Sequence, residues 1–572
     1  MRKRVITMML ATLFLLVLVA GCGSGGATTK APADTTKATT AAPKTEAPKE
    51  TDAPKETDAP KETEAPKETE APKETDAPEE TDAPDADVPG DLDPVTLPWY
   101  LAGNHMPDTE MVVAAINEYL QEKLNTTVEM YYWPGTEWAA NMPIKMNAQE
   151  DVGIISFGVQ TKMDYVQMAQ RGQTLPLDDL FDEYGPGVKA LFDDGLWDGM
   201  RVNGKIYGIP TLKDNCYIMS FIYNKELVEE LELDMNFDFT NWRAMEDWLV
   251  DAKAKRDEKF PGEYDDLPLV GSLGRAFPYN FAIENFISNS QLASCNIDPF
   301  MEIADKGIDE VFCLYTTPEY REYAKHRFRL VDSGVMAYDY TDKEEWKQSP
   351  GYLGMPGWGY TYMTEHLVSD NWTSEFKVST NIFTDTGNYH SAGTSISSNS
   401  ANPERCMMVL NLVNTDPKLA TMLRFGVEGE HYVRDENGKM TMDGSPRNSD
   451  VANRGYFHWY FASVGNLMIV EAPPNLTGPN NEMLINMDKY NKEAVRAAHL
   501  GFVFDQTAIQ NEYAACASAV DQYEPNLNDG RFESEEEVDA QVDEFIAQLE
   551  ANGYQAIVDE CQRQLDEWLA NR

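Results

Sequence analysis

Trp358 and Tyr360 flank Gly359 just after Gly357, with Tyr362 close behind, and Trp459 stands inside the run Tyr456-Phe457-His458-Trp459-Tyr460-Phe461. Indole and phenol rings beside hydrogen-bonding groups suit a sugar, whose ring offers apolar C–H faces edged by hydroxyls. Signals for bond-breaking chemistry are poor by comparison. The chain has no His-Glu-x-x-His, no Gly-x-Ser-x-Gly and no phosphate-loop pattern. Its seven histidines (105, 326, 366, 390, 431, 458 and 499) are scattered along the sequence, away from one another and from the cysteines, so no metal and no cofactor is expected. Carboxylate pairs can always be drawn from 96 acidic residues, which keeps glycoside hydrolysis open as a chemistry. The acidic stretch Asp435-Glu436-Asn437-Gly438 lies between Tyr432-Val433 and Met440-Thr441-Met442, and reads as an Asn-Gly hairpin turn rather than a calcium loop.

Cys22 is a second chemical signal. Arg2, Lys3 and Arg4 precede an apolar run, Val5 to Ala20, that is short for a membrane span but fits an export signal. It ends in Leu18-Val19-Ala20-Gly21-Cys22, which resembles the bacterial lipobox, where the Cys sulfur takes a diacylglyceryl group after cleavage. Two or three acyl chains on one residue anchor stably where a single chain would not. Residues 1–21 are therefore expected to be a signal peptide, with Cys22 as the lipidation site.

Residues 22–93 read as a tether. After Gly23-Ser24-Gly25-Gly26, the six-residue repeat Ala-Pro-Lys-Glu-Thr-Asp/Glu starts at Ala47, Ala53, Ala59, Ala65 and Ala71, with an altered copy at Ala77. Proline in every repeat and almost no large apolar side chains leave nothing to bury. Drawn out at ~3.1 Å per residue, such a chain reaches on the order of 200 Å, which suits the wall of a single-membrane bacterium. The chain carries 47 basic against 96 acidic residues, a net charge of −49, and residues 28–93 hold only eight Lys and nineteen acids of these. The acidity belongs mainly to the remainder. It argues against nucleic acid as a partner, because nothing would neutralise a row of phosphates.

From Pro94 on, short apolar runs alternate with helical ones, an α/β pattern. Val95 to Leu101 is a first strand, a helix capped by Asp108 runs to about Leu124, and Val128 to Trp133 is a second strand. A helix around 139–148 leads to the buried strand Val152 to Phe157. Ligands of such sheets bind beyond the carboxyl ends of the strands. That topology brings Asn104, His105, Pro134 to Trp138 and Phe157 to Gln160 around one crevice.

Further along, Asn203-Gly204-Lys205-Ile206-Tyr207-Gly208-Ile209-Pro210, Phe221-Ile222-Tyr223-Asn224-Lys225-Glu226-Leu227, Thr317-Pro318-Glu319-Tyr320 with the helix after it, Gly357-Trp358-Gly359-Tyr360, and Ser391 to Ser400 with Asn402-Pro403-Glu404 occur in order. This succession, followed by Gly426 to Tyr432 and Gly501 to Asp505, resembles the bacterial extracellular solute-binding protein family 1, which includes maltose-binding proteins. The resemblance covers about 94–572. It implies a two-lobe fold with a hinge and central cleft, lobe 1 at about 94–211 and 392–572 and lobe 2 at about 212–391.

It also implies that Trp358, Trp459 and Tyr279 stack on the ligand, whereas Phe157-Gly158 stands where the family often has a Trp. The ligand-binding set expected is Asn104, His105, Phe157, Tyr279, Trp358, Tyr360 and Trp459; Trp197, Trp242, Trp248 and Trp372 are expected to pack. The function implied is oligosaccharide capture, without catalysis, for an ABC importer. The protein would be a monomer held on the outer face of the cell membrane by its lipid alone and docking on a permease pair. A peptide or other small solute, and an anchored glycan hydrolase, remain as alternatives.

The tail has its own pattern. Ser534 with Glu537 forms a capping box, and Val538, Val542, Phe545, Ile546 and Leu549 make one apolar stripe. After Gly553, Tyr554, Ile557, Val558, Cys561, Leu565 and Trp568 make another. Both helices are expected to close the first lobe. Of the six cysteines after Cys22, Cys295 and Cys313 are the one pair worth testing as a disulfide; the others read as small buried apolar residues.

Overall fold

The computed structural model describes residues 92–572, apart from 159–160, 162, 272–280, 288–289, 301–302, 338–343, 359–372, 451–452, 459–463 and 478–481. The expected signal peptide, Cys22 and tether lie outside the described residues. The elements used below are, in chain order, β1 (Val95–Ala102), α1 (Thr109–Leu124), β2 (Thr126–Trp133), α2 (Gly135–Asn147), β3 (Ile154–Gly158), β4 (Ile209–Pro210), β5 (Met219–Asn224), α3 (Trp242–Lys259), β6 (Ile283–Ile287) and β7 (Ser290–Asn296). There follow α4 (Pro318–Asp332), β8 (Gly354–Trp358), β9 (Ser374–Val378), β10 (Phe383–Thr384), α5 (Thr386–His390), β11 (Ala392–Ile396), α6 (Pro403–Thr415), α7 (Pro417–Phe425), β12 (Val495–Arg496), α8 (Gln510–Asp529), α9 (Glu535–Ala551) and α10 (Tyr554–Ala570).

The first half is built on a five-stranded sheet in the order β2-β1-β3-β11-β4. Strands β1, β2 and β3 are parallel, as their alternation with helices demands, and β11 returns antiparallel beside β3. Every residue of β3 is buried, which is why its apolar run does not alternate. Helices α1, α6 and α7 cover this sheet through Val112, Ile116, Leu120, Val409, Val413 and Leu423.

The second half has its own core, around the sheet β8-β5-β9 and helices α3 and α4. Trp242 and Trp248 are buried there, and Trp197 is buried in the first core, as packing residues should be; Trp372 lies outside the described residues. Thr317 caps α4 by accepting from the Tyr320 amide at 3.2 Å. The chain passes between the cores three times, at 211–218, 379–391 and 495–501. These crossovers run side by side. Tyr217 N donates to Phe383 O at 2.7 Å, Val495 N to Ile382 O at 3.0 Å and Ala497 N to Thr384 O at 2.9 Å. The fold is thus the expected mixed α/β, two-lobe kind.

One expectation is corrected. Helices α8, α9 and α10 do not close the first lobe. Val520, Leu527, Val542, Phe545, Leu549, Ile557 and Leu565 belong to the second core, with Phe328, Tyr320 and Cys295. The third crossover carries the chain there, and Arg321 on α4 binds Asp539 and Asp543 on α9. The boundary of the first lobe after 392 therefore falls near 497 rather than at the carboxyl terminus.

Local signals fare well. The 433–434 and 440–441 strands pair around the Asn437-Gly438 turn, where Gly438 adopts φ 76° and Asp435 Oδ1 accepts from Asn437 N and Lys439 N. The Glu537 amide donates to Ser534 Oγ at 3.3 Å. Cys295 and Cys313 sit on neighbouring segments, bridged at Ser294 and Phe312, but both are free thiols.

Candidate functional site

The carboxyl ends of β1 and β2 build one wall. Gly103, at φ 147°, turns the chain out of β1 while its amide donates to Trp133 O at 3.0 Å, so the two strands stay paired to their ends. Asn104 and His105 follow, both exposed, with His105 Nε2 3.6 Å from Glu110 Oε1 on α1. They lie just past the carboxyl end of β1.

Beside Gly103 stands a pair that sequence reasoning missed. The Tyr132 and His458 rings stack, with centroids 5.0 Å apart and planes within 7°. His458 lies over Gly103, where a side chain would meet both rings. Burial, and then the neighbouring His105, hold the His458 imidazole down at about 4, so it is a neutral aromatic at physiological pH. The His458 amide donates to Arg424 O at 2.8 Å, and Tyr456 OH lies 3.1 Å from Tyr132 OH. Arg424 is fully buried and donates to Ala420 O and Val464 O; burial lowers it to about 10.

The same segment is tied to the start of α1. Asp108 does not cap the helix with its side chain, as was expected; its carboxylate instead accepts from Arg447 Nη1 at 3.0 Å and faces His431 Nε2 at 3.5 Å. Arg447 also donates to Glu430 at 2.9 Å. The 424–458 stretch is therefore held against the loop that presents Asn104 and His105.

Two expected lining positions turn inward. Phe157 is 1% exposed and packs on Tyr165, with ring centroids 4.9 Å apart. Gly208 and Gly393 make room for its ring, since a side chain at either would collide with it. It is a core residue of the central strand, its ring enclosed by Tyr165, Gly208 and Gly393. Trp138 is likewise buried, its indole N–H donating to Leu101 O at 3.3 Å; only Thr136 and Glu137 at the start of α2 are exposed.

On the other half, β8 ends at Trp358, whose backbone pairs with Met219, the first residue of β5 after the first crossover. That strand end thus lies at the crossover edge of the second sheet. Tyr279, Tyr360, Tyr362 and Trp459 lie outside the described residues, as does the Trp358 side chain. Among the described residues no group of three or more His, Cys, Asp or Glu is placed to hold a metal, and no helix is long and apolar enough to cross a membrane.

Residues 102–287 match the model of the bacterial extracellular solute-binding protein family, and residues 498–570, helices α8 to α10, match a domain of unknown function, DUF3502. A carbohydrate ABC transporter substrate-binding protein of Streptococcus pneumoniae is 23% identical over 492 residues, 84% of this chain and 92% of that protein. Among solved structures, the N-glycan transport solute binding protein of S. pneumoniae superposes with a TM-score of 0.68 at 22% identity, covering 84% of this chain and all of that one. Its complex with Man5GlcNAc superposes at 0.59, with 22% identity and 84% and 99% coverage. An alginate-binding protein, AlgQ2, reaches 0.54 at 15% identity, over 84% of this chain and 99% of that one. At such identities the superpositions speak for the fold. By the match over residues 102–287 and by the shared fold, the chain is similar to the bacterial extracellular solute-binding proteins.

Proposed function

We propose that the chain is the extracytoplasmic, lipid-anchored solute-binding subunit of an ABC importer. In this reading it captures an oligosaccharide by closing its halves and hands it to a permease pair. The observation that carries the proposal is the architecture of the crossing. Two separate cores are joined by three segments that hydrogen-bond side by side. The Trp358 strand ends on one side of that crossing, and His458, the residue before Trp459, is fixed on the other. Closure around such a crossing buries a ligand between the halves without disturbing either core.

The relatives indicate the solute class. The pneumococcal N-glycan protein has been crystallised with Man1GlcNAc and Man5GlcNAc, so a mannose–N-acetylglucosamine oligosaccharide is the first solute to try. Asn104 and His105 supply hydrogen bonds at the rim, while Trp358, Trp459, Tyr279 and Tyr360 supply the stacking faces. Phe157, buried in the core, is not among them. The protein binds its solute and does not turn it over. Cys22 carries the acyl chains, and residues 22–93 let the monomeric domain reach from the membrane.

Titrating the purified chain with mannose–GlcNAc oligosaccharides tests this. Ligand at 100 times its dissociation constant should stabilise the fold by about 2.7 kcal/mol. Turnover of the glycan would sink the reading, as would indifference to every neutral oligosaccharide. For the anchor, mass spectrometry should find diacylglycerol on Cys22 and none on Cys22→Ala.

A further inference from the structure

The crossing holds a buried ionisable cluster that solute capture does not use. His499, just past the third crossover strand, is fully buried, and both its ring nitrogens face carboxylates: Nδ1 lies 3.0 Å from Glu284 Oε2 and Nε2 2.9 Å from Asp309 Oδ1. Both nitrogens donate only when the ring is protonated, so this geometry selects the imidazolium. Glu284 comes from β6 and is itself buried; Asp309, in the loop after β7, is half exposed and opens the cluster to water.

The second crossover brings a third carboxyl. Asp385 follows β10 and is buried, and its Oδ1 accepts from the Asn388 amide and side chain at 3.0 Å. Ala497 N donates to Thr384 O, and Gly501 N to Thr386 Oγ1, which holds Asp385 beside the 497–501 segment. Asp385 Oδ2 and Glu284 Oε1 are both shut from water with no hydrogen-bond partner. Two such desolvated oxygens in one interior cannot both carry charge cheaply, and a proton on one removes the conflict.

We propose that Glu284, Asp309, Asp385 and His499 form a proton-held latch across the crossover segments, so that the hinge stiffens at acidic pH and loosens above neutrality. The surroundings fit. Burial and then the Glu284 charge push the Asp385 carboxyl up to about 7. For His499, burial opposes protonation, but the two carboxylates outweigh it and raise the imidazole above its ordinary value. The other titratable groups facing the cluster are the Cys295 thiol on β7 and the Cys561 thiol on α10, both held neutral by burial, and Glu310 beside Asp309. The cations around it are engaged elsewhere: Arg496 binds Asp193, Arg572 donates to Ala498 O, and Lys306 lies 3.6 Å from Glu310.

The sign is the same for both groups. Asp385 loses its proton as pH rises through about 7, which leaves a second buried negative charge beside Glu284. His499 loses its proton above its raised value, and Glu284 and Asp309 lose the cation between them. Each event adds net negative charge where the three crossovers meet.

Hydrogen–deuterium exchange on the full chain without solute tests the latch independently of what the cleft binds. With rates corrected for intrinsic exchange, protection at 379–385 and 495–499 should fall at least ~10-fold between about pH 6 and about pH 8.5, while β1 stays unchanged. Asp385→Asn should make the fall shallower, leaving only what the loss of the His499 proton contributes. His499→Gln should reduce protection most at the acid end. Flat corrected protection in the wild type overturns the proposal, and so does an Asp385→Asn profile as steep as the wild type's. Should Asp385→Asn not fold, Glu284→Gln removes the same charge conflict and must flatten the profile instead.

Discussion

Replacing His458 by Phe should make the protein more acid-tolerant. In the fold the imidazole is stacked on Tyr132 and held down at about 4, against an ordinary 6.5 in the unfolded chain. At 1.36 kcal/mol per tenfold change in proton affinity, that gap is worth about 3 kcal/mol. The group is neutral when folded, so its contribution is intact above about pH 6.5. It is lost as pH falls towards about 4, and below that nothing further is lost. Phe keeps the stack on Tyr132 and carries no proton. At about pH 8 the variant should match the wild type to within about 1.5 kcal/mol, as near-isosteric swaps do. Urea unfolding at a series of pH values gives the difference between the two proteins directly. His390 is also held down at about 4, but it is present in both proteins and cancels. The variant should gain about 3 kcal/mol on the wild type between about pH 6.5 and about pH 4. Parallel curves would show that His458 is not buried in its neutral form, and the account of the wall behind Asn104 and His105 would fail with it.

Three further outcomes follow from the packing. Phe157→Ala should destabilise the fold by about 3 to 5 kcal/mol, the range for a large buried aromatic, as measured by unfolding; a loss of affinity at unchanged stability would return Phe157 to the cleft. Phe545→Ala, also fully buried, should cost about 3 to 5 kcal/mol and raise hydrogen exchange in α4 and β7 rather than in β1 or β3. Exchange confined to the first core would restore the original assignment of the carboxyl-terminal helices. Deleting residues 28–90 should leave the melting temperature and solute affinity unchanged, because that stretch has almost no large apolar side chains to bury; a clear drop in melting temperature would mean that it packs on the domain.

The strands of the first sheet were readable because each is a compact apolar run, and the Asn437-Gly438 hairpin and the Ser534 cap because turn and cap chemistry is local. An amphipathic helix announces that one face is buried but not against what. The stripes on α9 and α10 were therefore visible while their partner was misjudged; their destination depends on the third crossover, which has no strong motif. Phe157 failed for a related reason. Topology places it near a strand's carboxyl end, but which way its ring points is decided by room made at Gly208 and Gly393, remote in sequence. His458 had no sequence signal at all, since its value lies in a partner on β2 more than three hundred residues away, in the wall where Tyr132 also meets Tyr456. The hinge cluster was hidden likewise: Glu284, Asp309, Asp385 and His499 meet only because the three crossovers run together.

The central claim is that a sugar bridges the halves through Trp358 and Trp459, and calorimetric titration of Trp358→Ala and Trp459→Ala with a mannose–GlcNAc oligosaccharide, alongside their unliganded melting, tests it most directly. Each substitution should weaken binding by about 1 to 3 kcal/mol, a factor of roughly 5 to 150, with little change in melting temperature because a platform facing an open cleft supports no core. Early melting of both variants, with normal binding by the protein that remains folded, would contradict the account.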